Sequence, residues 1–424
     1  MRAMLRRPMT RLPEGWFEAD ADIVRAARNV RLLSCLTWPS AVQQQFLFEH
    51  RKGDAKLPHV EYQIPPLHEE AELFAGVEKR VAGQHPIAAF LRKTAHSYRL
   101  ACELLRAAGT SALCAISQEL YGGAEEGLSG SSVGSRDAAS HFLRVSDEYA
   151  KAVALHEADY CLSAELLQRE MQPQLDAVFG AGTVQVEIDP NLVSKAAAGA
   201  TRVRLRAGTS FSEYDLEQLL QHEAFVHSLT ALNGRRQPHL KSLGLGAPRT
   251  TATQEGLATF AELVTGAIDI ARLRRVALRV VAIDSALQGA DFIEVFRFFL
   301  EAGQSEVESF NSAMRVFRGA PVGGGGAFTK DAVYLRGLIE VHTFFRWCMH
   351  HAKLDLARAL FSGRMTLEDV EQMSESFQDG TVVRPALLPP WMTKTNGLAG
   401  YLAFSVFASK IHVSLLPENH YRAK

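Results

Sequence analysis

Two imidazoles and two carboxylates stand close together in this chain, at spacings that suit metal-assisted hydrolysis. His222, Glu223 and His227 lie in Gln221-His222-Glu223-Ala224-Phe225-Val226-His227, and Glu255 follows in Gln254-Glu255-Gly256-Leu257-Ala258. A hydrolytic zinc site takes three protein ligands and keeps one position open. A carboxylate beside it takes a proton from the activated water and passes it to the leaving amine. His222, His227 and Glu255 supply the ligands on this reading, Glu223 the general base and Zn2+ the metal. The chemistry is amide-bond hydrolysis.

The histidine spacing sets a structural condition. Five residues of regular α-helix turn through about 500°, which leaves two side chains roughly 140° apart. A π-bulge adds one residue to a turn and returns such positions to one face, and bulges of this kind occur often at functional sites. The metal reading therefore predicts a bulge between His222 and His227. Glu262, two turns beyond Glu255, is placed to hydrogen-bond a ligand imidazole. Plain alternatives stand beside each assignment: a helical His is most often a packed or solvated residue, and Glu255 alone is a helix-start carboxylate favoured by the macrodipole.

The elements that must position these groups are mainly helices. Ser212 and Asp215 form a capping box that opens a helix through Ala231, closed by Asn233-Gly234. Thr253 caps the next helix, which carries Glu255 in its first turn and runs to about Ile270; Gly256 admits another backbone at close range. Helical patterns also cover Ala19 to Leu36, residues 67–120, Arg272 to Leu287, Phe292 to Glu301, Glu306 to Phe317, Asp331 to His350 and Thr366 to Ser376. Thr183 to Asp189 alternates as a half-buried strand, and Val203 to Arg206 is a second strand with an edge for an extended peptide. The expected class is α+β, mostly helical, with a small sheet. Residues 1–60 read as an N-terminal arm and 61–424 as one catalytic domain with C-terminal helices. Gly122 to Gly134 is a loop or lid, and Gly400 to Leu416 a buried terminal element.

Composition narrows the function classes. The 424 residues are 47% hydrophobic, enough for a large core, and the net charge of -1 gives no basic surface for nucleic acid. Five scattered cysteines without a C-x-x-C pair argue against a disulfide framework and fit a reducing cytoplasm. The basic start, Met1 to Arg11, leads into no apolar segment of secretory type, and no stretch reaches the length of a membrane span. Gly323 to Gly326 lacks the Gly-Lys-Ser/Thr ending of a phosphate loop.

Further residues carry a resemblance. The series is Ser117-x-x-Leu120-Tyr121-Gly122, the H-E-x-x-x-H segment, Asn233-Gly234, Thr253-Gln254-Glu255-Gly256-Leu257-Ala258, and Thr329-Lys330-Asp331-x-x-Tyr334-Leu335-Arg336-Gly337-Leu338. It resembles the QEGLA-motif or tyrosine/phenylalanine carboxypeptidase domain family. Bacterial members of that family are labelled flavohaemoglobin expression-modulating, and eukaryotic relatives include the microtubule-associated tyrosine carboxypeptidases, which remove the C-terminal tyrosine of α-tubulin. The resemblance implies a zincin-like fold, His222, His227 and Glu255 as zinc ligands, Glu223 as the catalytic carboxylate, and a peptide or protein C-terminus as the substrate.

A carboxypeptidase must hold a free α-carboxylate, best done by a guanidinium fork. Arg249, Lys330 and Arg336 are the candidates. Tyr334 or His342 is a candidate donor to the tetrahedral oxyanion. Asp331 reads as a helix-start or supporting carboxylate. The arginines at 272, 274, 275 and 279 read as a solvated helix face, and His350 and His351 point apart. Two other functions fit the same residues: a metal-stabilised regulatory protein without turnover, and a zinc endopeptidase or dipeptidase. The sequence leaves the oligomeric state open.

Overall fold

The computed structural model describes residues 12–153, 161–192, 194–408 and 410. It is mostly helical with one three-stranded sheet, as expected for the α+β class. Strand β1 is Gln185–Asp189, β2 is Ala196–Ala198 and β3 is Arg202–Arg206. β3 runs parallel to β1 and antiparallel to β2, so it is the central strand. Alternation drives the pairing: Val186 faces Val203 across the ladder, and both side chains are buried. The central position of β3 corrects the expectation that its edge is open to a peptide. The edge nearest the metal-ligand segment belongs to β2, which packs directly against it.

The helix bearing the histidines starts at the Ser212–Asp215 capping box, with both reciprocal hydrogen bonds present. It runs as α-helix over Glu213–Leu219, as π-helix over Leu220–Ser228 and again as α-helix over Leu229–Arg235. Asn233-Gly234 does not close it. Asn233 Nδ2 donates to the carbonyls of Phe361 and Leu387 at 2.8 Å each, and the Leu243 backbone crosses so near Gly234 that a Cβ there would collide. These residues are chosen for long-range contacts, so the helix continues past them.

The next helix is Thr251–Thr265. Thr253 is buried inside it and does not cap it, and Glu255 consequently falls in the second turn. Gly266, at φ 75°, ends it in the left-handed conformation, short of Ile270. It crosses the helix Val333–His350 at Gly256 and Gly337. A Cβ on either glycine would strike the other helix's backbone. That crossing brings Glu255 next to the turn preceding the second helix.

The described part of the stretch read as an N-terminal arm is built into the body. Ile23, Leu36, Trp38 and Phe46 belong to the common core, and Phe46 meets Phe296 edge-on with centroids 4.9 Å apart. Asp20, buried, accepts from the backbone N–H of Lys241 at 2.7 Å. Pro39 precedes a helix, Ser40–Arg51, absent from the sequence reading. Two other helices were also not foreseen, Ser135–Val153 and Ala164–Phe179. At the other end, Thr395–Ala408 is a helix with Phe404 and Phe407 more than half exposed, so its described part is not a buried element. Residues 409 and 411–416 of that expectation lie outside the described residues. No helix among the described residues is long and apolar enough to cross a membrane.

Candidate metal centre

π winding gives His222 and His227 a common face. Their ring centroids lie 4.8 Å apart with planes at 85°. Glu255 Oε2 sits 3.4 Å from His222 Nε2 and 3.6 Å from His227 Nε2. All three ligand atoms fall within 4.8 Å of one another. A tetrahedral ion with bonds of about 2.1 Å places neighbouring donor atoms about 3.4 Å apart, so the two imidazole–carboxylate edges fit such an ion. Two imidazoles and one carboxylate are a donor set that suits several first-row divalent ions, zinc among them.

The surroundings hold these donors in place. Glu262, fully buried, accepts from His222 Nδ1 at 2.6 Å, from Gln218 Nε2 at 2.8 Å and from Arg272 Nη2 at 3.2 Å. Burial opposes the charge on Glu262, yet Arg272 and then His222 hold its pKa down to about 2. It is therefore a carboxylate and can only accept, which puts a proton on His222 Nδ1 and aims Nε2 at Glu255. Burial likewise opposes charge on His222, but the hydrogen bonds of Glu255 and Glu262 push its pKa up to about 10. The pocket stabilises positive charge at Nε2, the place a cation would take. On Glu255, burial is overcome by Lys330 and the two histidines, which hold the carboxyl well below its ordinary range. Lys330 Nζ reaches Glu255 Oε1 at 3.2 Å and leaves Oε2 to the triad.

Glu223 follows His222 on the π segment and is half-buried. It lies near enough to His222 and Arg364 to act on the charge of both. Gln254 Oε1 accepts from Thr230 Oγ1 at 2.9 Å and ties the two ligand-bearing helices together. Arg364, missed in the sequence, donates from Nη2 to the His227 carbonyl at 3.2 Å, while its Nε is buried without an acceptor. Gln218 and Arg272 were also missed, and only their spacing from Glu262 in three dimensions reveals them.

The substrate candidates divide. Lys330 adjoins the triad, and Tyr334 lies beside it, its ring centroid 5.5 Å from Nζ. Arg249 is differently engaged: its fork closes on both oxygens of Asp369 at 2.7 and 2.8 Å. Arg336 donates to the Tyr121 carbonyl at 2.9 Å and also faces Glu126 and Glu340. It pins the start of the 122–134 loop. Ser117 and Thr329 bond each other through hydroxyl and backbone groups, so two of the conspicuous sequence motifs clasp one another. His342 packs edge-on against Phe260, and no contact among the described residues joins it to the triad. Asp331 accepts Arg315 bidentately. The basic stretch proves to be two populations. Arg274 pairs at the surface with Asp147, whereas Arg272 and Arg279 turn inward beside Tyr334.

Among solved structures, a protein from Colwellia psychrerythraea that carries a lipoprotein description is similar over 88% of this chain and 77% of that one, with 14% identity and a TM-score of 0.43. No curated protein matches the chain. The family model described as microtubule-associated tyrosine carboxypeptidase matches residues 44–410, a span that contains the triad, Glu223, Lys330 and Tyr334. The chain belongs to the microtubule-associated tyrosine carboxypeptidase family.

Proposed function

We propose that the chain is a zinc-dependent carboxypeptidase that removes an aromatic residue, tyrosine or phenylalanine, from the C-terminus of a peptide or protein. The observation that carries the reading is the convergence of His222, His227 and Glu255, with Glu223 next in sequence to the first ligand. His222, His227 and Glu255 hold the ion. When bound, zinc supplies a Lewis acid that acidifies water and polarises the scissile carbonyl. Glu223 removes a proton from the attacking water and returns it to the leaving amine. Glu262 fixes the His222 ring, and Lys330 fixes Glu255. Tyr334 is the candidate donor to the developing oxyanion.

An extended peptide has a place to lie. Among the described residues no strand pairs with the outer side of β2, which packs against the π segment, and backbone pairing there would orient a chain end toward the triad. On this reading the strand beside the metal-ligand helix is part of a zincin-like arrangement. The five cysteines are all free, which supports a reducing cytoplasm as its location.

The test is mass spectrometry of two matched peptides ending in tyrosine, one with a free carboxylate and one amidated. The zinc-loaded chain trims one residue from the first and leaves the second intact, and Glu223→Gln trims neither. Internal cleavage of both peptides would instead show an endopeptidase. A folded, zinc-loaded chain that cuts nothing, with Glu223→Gln indistinguishable from it, would support the regulatory alternative.

A further inference from the structure

Four cations gather around Tyr334 and the acids beside it: Arg272, Arg279, Arg315 and Lys330. Three of them have a carboxylate of their own. Arg272 bonds Glu262 through Nε at 3.3 Å and Nη2 at 3.2 Å. Lys330 bonds Glu255 at 3.2 Å. Arg315 takes both oxygens of Asp331, at 2.5 and 2.9 Å. Arg279 is the cation without a carboxylate of its own. It shares Asp331 with Arg315: its Nε lies 3.6 Å from Asp331 Oδ2, an ion pair too long for a hydrogen bond.

Arg279 is nonetheless drawn inward. Its side chain is 17% exposed and its Cζ stands 5.1 Å from the Tyr334 ring centroid. Burial, and then the like charge of Arg315, push its pKa down to about 10, so it stays charged at neutral pH. None of its nitrogens is among the described buried atoms that lack a partner, so the part of its fork not turned to Asp331 reaches solvent and is open to an arriving anion. Arg318, near enough to Arg315 to feel its charge, adds to the surplus: it is buried, and its Nε has no acceptor.

The location suits one anion in particular. Lys330 touches the metal ligand Glu255, Tyr334 lies beside Lys330, and Arg279 stands over Tyr334. In a substrate with its scissile carbonyl at the triad, the terminal carboxylate lies one residue further on, about 3.5 Å of backbone. We propose that Arg279 binds the free α-carboxylate of the substrate's C-terminal residue, so that this guanidinium, and neither Arg249 nor Arg336, selects a chain end. The assignment rests on the carboxypeptidase reading and names the group that enforces it.

The experiment uses zinc-loaded chains that all carry Glu223→Gln, so that binding is measured without turnover. Calorimetry compares a short tyrosine-ending peptide with its C-terminal amide. The background chain binds the acid tighter than the amide by about 10- to 100-fold, the range of a charge-assisted pair. Arg279→Gln abolishes that preference by weakening the acid alone, and Arg279→Lys keeps part of it. Thermal unfolding supplies a second readout. Because Arg315 still satisfies Asp331, Arg279→Gln leaves the melting temperature unchanged or raises it, whereas a merely structural arginine would lower it. A preference retained in Arg279→Gln overturns the assignment and leaves the carboxypeptidase reading standing. Equal weakening of acid and amide also overturns it, by placing Arg279 on another part of the peptide. Equal binding of acid and amide by the background chain overturns both.

Discussion

Glu262→Gln separates the metal site's support from its ligands. The substitution keeps the shape of the side chain and removes its charge. In the native chain this fully buried carboxylate accepts from His222 Nδ1 at 2.6 Å and from Arg272 at 3.2 and 3.3 Å. Two losses follow. Outer partners of a ligand imidazole are worth about 10- to 100-fold in metal affinity, or about 1.4–2.7 kcal/mol, so zinc should bind weaker by that factor. Breaking a buried pair by removing one partner costs about 3–5 kcal/mol, because Arg272 is left without its counter-charge, so the metal-free chain should melt lower. The two losses can be separated. Glu262→Gln combined with Arg272→Met removes the stranded charge and recovers most of the stability, while zinc affinity stays low. Competition against a chromophoric chelator reads the affinity, and calorimetry in chelator reads the stability. If the single variant binds zinc within about threefold of wild type while melting lower, Glu262 serves folding alone and the orienting argument fails.

Other predictions follow from the same geometry. With a chelator present, His222 holds a proton in the folded chain up to about pH 10. A raised folded pKa means full stabilisation below about pH 6.5, lost as pH climbs through 10, so the chelated chain should melt lower across that window. Zinc must displace that proton, so its apparent affinity should rise about tenfold per pH unit over the same range. Gly256→Ala drives a methyl into the Gly337 backbone; it should cost about 2 kcal/mol or more and weaken zinc binding by shifting Glu255, read by melting and chelator competition. Arg249→Gln leaves Asp369 buried and unpaired, and should lower stability by about 3 kcal/mol while leaving the peptide KM unchanged; a raised KM in a folded variant would return Arg249 to the substrate site.

The parts of the site legible in the sequence were those governed by local geometry. Five-residue spacing of two histidines admits few ways to share an ion, and π winding over Leu220–Ser228 is the one the chain adopts. The Ser212–Asp215 box is similarly local and stands as read; the alternation leading into β1 holds at Val184 and Val186 and fades at Ile188, which is half-buried like Glu187. What the sequence concealed depends on partners far along the chain. Asn233 looked like a helix stop because Asn and Gly favour that role, but its amide is claimed by carbonyls at 361 and 387. Arg249 had the right chemistry for a carboxylate, and the carboxylate it holds is Asp369. The 270–287 helix looked like a solvated basic face, since helical period cannot say which charges find acids across a core. Arg272 and Arg279 turn inward because Glu262, Asp331 and Tyr334 wait there. The described residues of the supposed arm join the core for the same kind of reason: their aromatic partners, Phe292 and Phe296, lie some 250 residues away.

The most direct test of the central claim is zinc content per chain, measured on folded wild type, His227→Ala, Glu255→Ala and Glu223→Gln. The account predicts one zinc in wild type, loss in the two ligand variants and full retention in Glu223→Gln, because Glu223 moves a proton and holds no ion. A folded wild type that neither carries zinc nor takes it up, or a Glu223→Gln chain that loses it while Glu255→Ala keeps it, would contradict the ligand set and the hydrolytic reading built on it.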